Sequence, residues 1–227
     1  MNVAIIAAAG KGNRMGGERA KQFLELAGIP IIIHTLGAFE QCEVIQEIIA
    51  VLPGQETAAF LTLAGKYRLR KLSKVVPGGA TRAESVWCGL QAVRSATAEI
   101  IAVHDGVRPF VTPEEIARTV GSAQVCEAAI LVAPAADTIK EVENCQVVRT
   151  LKRAAVRRAL TPQCFRYSLL RRAYEQADLN DPELTDESVL VERLGVQVAV
   201  VEGSSRNIKI TRPEDLAIGE LLLRHGL

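Results

Sequence analysis

The chain has 227 residues, 48% of them hydrophobic, and carries 27 basic and 26 acidic side chains for a net charge of +1. That length suits one large domain or two small ones with a sizeable core. The balanced charge argues against a general nucleic-acid surface, which needs a clustered basic excess, and the 4% aromatic content disfavours a base-stacking single-strand binder.

The opening Met1-Asn2-Val3-Ala4 has no basic leader, so a secretory signal is not expected. The apolar run Val3–Ala8 is too short to span a bilayer and reads as a core strand. The loop Ala7-Ala8-Ala9-Gly10-Lys11-Gly12-Asn13-Arg14-Met15 follows it, with Lys21 seven residues beyond Arg14. Small residues here let backbone N–H groups approach a ligand, and Arg14 and Lys21 bring two positive charges to the same place. That combination suits a polyphosphate. It is not a P-loop, because no Gly-Lys-Ser/Thr occurs in the chain. Nor is it the dinucleotide fingerprint: Met15 stands where the third glycine belongs, and the acidic residue expected about 20 positions on is missing. The plainer alternative is a Gly-rich turn between strand and helix, which the added Arg14, Met15 and Lys21 weaken.

Pro30 precedes an apolar periodic run through Phe39, which predicts a helix entered at a proline. Further strands are expected at Gln46–Leu52, Lys74–Val76, Ile100–His104, Ala129–Ala133 and Val196–Glu202. Several are continuous apolar runs, as in a parallel sheet covered by helices on both faces. Thr112-Pro113-Glu114-Glu115 and Thr211-Arg212-Pro213-Glu214 read as capping boxes, the second leading into Asp215–Arg224 and ending at Gly226. Thr161-Pro162-Gln163 and Thr185-Asp186-Glu187 are helix-entry sequences by local rules. Asp137–Val142 and Gln146–Lys152 are β-prone around Glu143-Asn144-Cys145, which predicts a hairpin. It is more polar than the other strands, so it should project, and a lone hairpin needs something to pack on. A second copy of the chain is the simplest candidate, against the alternative that it folds on its own domain. The expectation is one doubly wound, mostly parallel α/β domain over residues 1–227, with a β-hairpin arm at about 136–153.

The five cysteines, at 42, 88, 126, 145 and 164, are odd in number and form no C-x-x-C, which suits reduced thiols in a cytoplasmic protein. His34, His104 and His225 share no metal-ligand spacing, so a protein-built zinc site is not expected.

Asp105, in His104-Asp105-Gly106-Val107-Arg108-Pro109, falls at the carboxyl end of a strand, where open α/β sheets bind ligands. A carboxylate near a triphosphate is repelled unless a cation intervenes, so Asp105 suggests Mg²⁺ held mainly by phosphate oxygens and water. The alternative is an aspartate capping the next turn, and Arg108 weakens it. Pro77-Gly78-Gly79-Ala80-Thr81-Arg82-Ala83-Glu84-Ser85-Val86 opens a helix and gives backbone access at the same rim. Ser85 could bond a base edge, and it lacks the G-x-S-x-G surroundings of a nucleophile. Lys209 could reach a substrate phosphate or simply be solvated. Arg153, clustered with Lys152, Arg157 and Arg158, is equally ambiguous.

Taken together these segments resemble the 2-C-methyl-D-erythritol 4-phosphate cytidylyltransferases of non-mevalonate isoprenoid biosynthesis, over nearly the whole chain. The segments are Ala8-Ala9-Gly10-x-Gly12-x-Arg14-Met15, Lys21-Gln22-Phe23, Gly78-Gly79-x-x-Arg82-x-x-Ser85-Val86 and His104-Asp105-x-x-Arg108-Pro109. Ala159-Leu160-Thr161-Pro162-Gln163, Thr185-Asp186-Glu187 and Asn207-Ile208-Lys209-Ile210-Thr211-Arg212-Pro213-Glu214-Asp215 complete the set. Gly106 stands where the family often has alanine, a loss of volume expected to matter little, and Arg206 where some members are acidic.

The resemblance implies transfer of CMP from CTP to methylerythritol phosphate with Mg²⁺, in a homodimer joined by the β-arm. It implies that Arg14 and Lys21, with the Gly10 and Gly12 loop, hold the triphosphate. Gly79, Ala80 and Ser85, with the backbone at Ala8 and Ala9, would recognise cytosine and ribose. Asp105 would face Mg²⁺ and substrate, while Arg108, Thr161, Thr185 and Lys209 surround methylerythritol phosphate. Thr138 and Arg153 match arm residues that reach the neighbouring subunit's site. A cytidylyltransferase using a pentitol phosphate such as ribitol 5-phosphate, and a non-catalytic nucleotide sensor, are the competing readings. The Ala7-Ala8-Ala9-Gly10 opening and the retention of Lys21, Asp105 and Lys209 weigh against them.

Overall fold

The structure is a computed structural model that describes residues 1–10 and 20–224. In chain order the elements are β1 Val3–Ala7, β2 Glu25–Leu26, β3 Ile29–Pro30, α1 Ile31–Gln41, β4 Glu47–Leu52, α2 Thr57–Gly65, β5 Leu72–Pro77, α3 Arg82–Gln91, β6 Ile100–Asp105, α4 Pro113–Cys126 and β7 Ala128–Pro134. There follow β8 Lys140–Glu143, β9 Gln146–Thr150, β10 Arg157–Arg166, α5 Tyr167–Glu175, α6 Glu187–Glu192, β11 Ala199–Glu202 and α7 Pro213–Arg224.

Seven strands form one sheet in the order β11-β7-β10-β6-β1-β4-β5. Only β10 runs against its neighbours; the other recorded pairings are parallel. Every residue of β4 and β6 is buried, which explains the apolar runs Ile48–Leu52 and Ile100–Val103 within them: helices cover both faces. The two-residue period sorts side chains between two cores. Ala4 and Ile6 pack with Leu36, Phe39, Phe60, Ile116 and Val120 of α1, α2 and α4. Val3 and Ile5 pack on the other face with Val86, Leu90, Leu170, Tyr174 and Val191 of α3, α5 and α6.

The chain leaves β1 toward β4 and β5, then crosses back to place β6 on the other side of β1. The sheet therefore reverses its winding between β1 and β6, and the crevice at their carboxyl ends is where this architecture binds ligands. In register, Ala7 lies beside Asp105 there.

Three local expectations are corrected. Thr161-Pro162-Gln163 does not start a helix; it lies inside β10 and is buried. Proline cannot donate to a sheet ladder, and the register of β10 on β7 shifts between Ala159 and Gln163. The Thr161–Pro162 peptide bond is cis. At the start of α7 the carboxylate that caps is Asp215, not Glu214: its Oδ2 accepts from the backbone N–H of Thr211 at 2.8 Å and of Arg212 at 2.9 Å. Pro30 precedes α1, which begins at Ile31, rather than occupying its first turn. The box at Thr112 and Glu115 is formed as expected, and Asp186 caps α6.

The hairpin β8–β9 forms a sheet of its own. Its two-residue turn, Asn144-Cys145, has positive φ at both positions (48° and 61°), the backbone hand that matches strand twist. Val142, Val147 and Val148 on it are 52–61% exposed, so it packs little against its own chain.

Candidate active site

A cleft of about 580 Å³ opens at the switch point. Ala8, Ala9 and Gly10, leaving β1, line one side, and Gly79 and Ala80, leaving β5, line another; Lys21, Arg82, Ser85, Asp105 and Lys209 line the rest. The two loops come this close only because their side chains are minimal. A Cβ on Gly78 would stand 2.3 Å from the Ala9 Cβ and 2.7 Å from the Ser85 Oγ. Ser85 is buried and pins the second loop, donating to the Thr81 carbonyl at 2.8 Å and accepting from the Gly79 N–H at 3.2 Å. Thr81 and Glu84 form a capping box at the start of α3, and Glu84 also accepts from the Ala80 N–H at 2.6 Å. This places Arg82 as the first helical residue, at the rim.

Asp105 is the electrostatic centre. Its Oδ1 accepts from Arg82 Nε at 3.1 Å, and its Oδ2 from Lys209 Nζ at 2.9 Å and Arg108 Nε at 3.2 Å. Burial alone would raise its pKa; the three cations outweigh burial and hold the carboxyl well below the usual range. The cations are not equivalent. Arg108 is only 12% exposed and also donates from Nη1 to the Asn207 carbonyl at 2.8 Å. Arg82 is 28% exposed, and its Nη1 donates to Glu187 Oε1 at 2.7 Å. Lys209, at 37%, is the most open of the three.

A second layer fixes Asp105 from below. Its backbone N–H donates to Thr161 Oγ1 at 3.2 Å, and that hydroxyl lies 2.9 Å from Nδ1 of His104. His104 Nε2 lies 3.1 Å from the Arg108 carbonyl. A carbonyl can only accept, so Nε2 carries the ring proton and Nδ1 accepts from the Thr161 hydroxyl. Burial pushes the His104 pKa down to about 4, so the ring is neutral at pH 7. Asn207 closes the layer by donating from Nδ2 to the Thr161 carbonyl at 2.8 Å.

The structure thus brings together Ala8, Ala9, Gly10, Lys21, Gly79, Ala80, Ser85, Asp105 and Lys209, with Arg108 in contact through Asp105. Gly12 and Arg14 lie outside the described residues. Thr161 does not line the cleft; its hydroxyl is spent beneath Asp105. Thr185 is exposed and precedes the α6 cap. Thr138 and Arg153 are exposed on the arm side, away from this chain's own cleft; Arg153 Nη1 donates to the Ala136 carbonyl at 3.3 Å. Gly106 departs from alanine where there is no spare volume: a Cβ would stand 2.7 Å from the Ala8 Cβ.

Sequence reasoning gave no role to Arg82, Glu187 or Asn207. The signal for Arg82 was present, since Thr81-x-x-Glu84 is itself a capping box that sets Arg82 at a helix start beside the cleft.

Among the described residues no group of three or more His, Cys, Asp or Glu side chains could hold a metal ion. Both oxygens of Asp105 already face cations. Such a donor set fits a divalent ion carried by ligand phosphates and water with at most one carboxylate, and does not fit a cage built by the protein.

The family model for 2-C-methyl-D-erythritol 4-phosphate cytidylyltransferase matches residues 2–225. This chain belongs to that family. A curated relative of that name from Bacillus cytotoxicus is 44% identical over 223 residues, covering 98% of each chain. One from Pelotomaculum thermopropionicum is 42% identical, covering 97% of this chain and 93% of the relative. Among solved structures, a 4-diphosphocytidyl-2C-methyl-D-erythritol synthase from Anaerococcus prevotii superposes with a TM-score of 0.87 at 31% identity, covering 98% of this chain and 96% of that one. The Thermus thermophilus 2-C-methyl-D-erythritol 4-phosphate cytidylyltransferase gives 0.77 at 35% identity, covering 97% and 98%. No helix among the described residues is long and apolar enough to cross a membrane.

Proposed function

We propose that the protein transfers CMP from CTP to 2-C-methyl-D-erythritol 4-phosphate, giving 4-diphosphocytidyl-2-C-methyl-D-erythritol and pyrophosphate. The observation that carries this reading is the convergence of Lys21, Arg82 and Lys209 on one cleft, at the rim between the Gly10 and Gly79 loops of a family member.

In this reading a phosphate oxygen of methylerythritol phosphate attacks the α-phosphorus of CTP and the bond to pyrophosphate breaks. The nucleophile is already an anion, so no protein base is required. The obstacle is to hold two anions together and stabilise charge as it moves onto pyrophosphate. Arg14 and Lys21, with the backbone of Gly10 and Gly12, hold the triphosphate. Ala8, Ala9, Gly79 and Ala80 offer backbone groups to the nucleoside, and Ser85 fixes their loop. Asp105 and Lys209 meet the sugar phosphate together with Arg108 and Thr185, and Thr161 acts through Asp105. The neutral, buried His104 holds its proton on Nε2 and takes no part in proton transfer. Mg²⁺ would be held mainly by the CTP phosphates, with Asp105 the cleft carboxylate that would face it, and would supply neutralising charge there.

We further read residues 1–227 as one cytidylyltransferase domain. The exposed valines of β8–β9 favour a homodimer in which Thr138 and Arg153 of the arm serve the other subunit's cleft. The cytoplasm is the compartment that fits the five unpaired cysteines.

The test is pyrophosphate release and product identification with CTP, Mg²⁺ and either methylerythritol phosphate or ribitol 5-phosphate. Product with methylerythritol phosphate alone is expected. Preference for ribitol 5-phosphate would overturn the substrate, and CTP binding without turnover would overturn the activity.

A further inference from the structure

Arg82 is tied down at two of its nitrogens by carboxylates from two different elements. Nε donates to Asp105 at the end of β6, and Nη1 to Glu187 in the first turn of α6. Nη2 has no hydrogen-bond partner among the described residues, and Arg82 lines the cleft. Glu187 is 1% exposed and is itself held firmly. Its backbone N–H donates to Gln163 Oε1 at 3.1 Å, and its Oε1 also accepts from the Tyr174 hydroxyl at 3.1 Å. Its second oxygen, Oε2, is buried without a hydrogen-bond partner. A buried carboxylate with one oxygen left bare is a poor stability device, because desolvation offsets much of what the ion pair returns. What the arrangement does achieve is to fix the plane of one guanidinium.

Arg82 also bridges the two halves of the cleft. It lies three residues beyond Gly79 in the nucleotide-side loop, while its side chain meets Asp105, the partner of Lys209. The point between those halves is where the α-phosphate of the nucleotide and the incoming phosphate must meet. Three cations against two carboxylates also leave one positive charge over at this corner.

We propose that Arg82 is a further catalytic cation, donating from Nη2 to the reacting α-phosphoryl group, and that Glu187 is the positioning residue that holds Arg82 for it. This rests on the cytidylyl-transfer reading above.

The experiment is steady-state kinetics on Arg82→Gln, Arg82→Lys, Glu187→Gln and the Arg82→Gln/Glu187→Gln pair, with thermal melts to check folding. Arg82→Gln is expected to lower kcat about 10²-fold with KM for both substrates within about threefold. Arg82→Lys, which keeps the charge but loses the planar fork, should recover only part of that. Glu187→Gln is expected to lower kcat about tenfold. In the Arg82→Gln background it should cost nothing more, whereas a purely structural role would add its own loss. Wild-type turnover with unchanged kcat in both Arg82 variants would overturn the proposal while leaving the proposed function standing. Independent, additive losses would overturn the role of Glu187. A wild-type protein that transfers no CMP would fail the proposed function itself.

Discussion

Lys21, Asp105 and Lys209 were legible one by one: Asp105 ends an apolar strand and Lys209 shortly precedes a capped helix, while Lys21 follows the Gly-rich segment after β1, and strand ends are where α/β sheets bind ligands. Their pairing was not. Lys209 and Asp105 are far apart in sequence, and no local rule joins them. Arg82 and Glu187 are 105 residues apart, and neither carries a pattern that names the other. Removing one fixed cation from a site that handles two phosphates should cost turnover far more than folding. Lys21→Ala or Arg14→Ala is expected to lower kcat by about 10²-fold or more with melting temperature little changed, checked by pyrophosphate-release kinetics beside thermal melts. Thr161→Val keeps volume but strips partners from the buried Asp105 N–H and from His104. It should cost about 1–3 kcal/mol in urea unfolding and lower turnover as well. His104 sets a pH dependence of stability. Its folded pKa, about 4, lies below the ordinary 6.5, so between those values the unfolded chain binds more protons and stability falls as pH falls. The loss is on the order of 3 kcal/mol and is complete near pH 4. Asp105, whose pKa is depressed, adds to the loss only below about pH 4. Urea midpoints from pH 7.5 to 4.5 should slope downward, and His104→Gln should flatten that slope.

At the scale of elements, the parallel strands could be read because burial on both faces writes them as unbroken apolar runs. β10 was missed for a physical reason: its proline mimics a helix entry, and it opens on two arginines within an exposed first stretch, Arg157–Ala159. The α3 loop shows what glycine is for at this rim. Gly78→Ala must drive its loop away from Ala9 and from Ser85 of α3, since its new methyl would stand 2.3 Å from the Ala9 Cβ. CTP binding measured by calorimetry should weaken about tenfold or more while the sheet folds. The hairpin was read from its β-prone halves and its turn, and three exposed valines on so small a sheet call for a covering surface. On the proposed homodimer, in which the arm completes the neighbouring cleft, wild type is expected to sediment as a dimer and Val147→Lys as a monomer with lowered activity.

Across the whole molecule, the sheet does little more than hold strand ends in register so that cations from four separate segments meet at one crevice. Lys21 follows β1, Arg82 opens α3, Arg108 follows β6 and Lys209 precedes α7. Asp105 and Glu187 hold Arg82, Arg108 and Lys209 in place there until anions arrive. The measurement that tests this most directly is a crystal structure of the protein with CTP and Mg²⁺. The triphosphate is expected over the Gly10 loop, with Lys21 Nζ within hydrogen-bond reach of it and the α-phosphate facing Arg82 and Lys209. A nucleotide bound elsewhere, with Lys21 and Lys209 turned away from every phosphate, would contradict it.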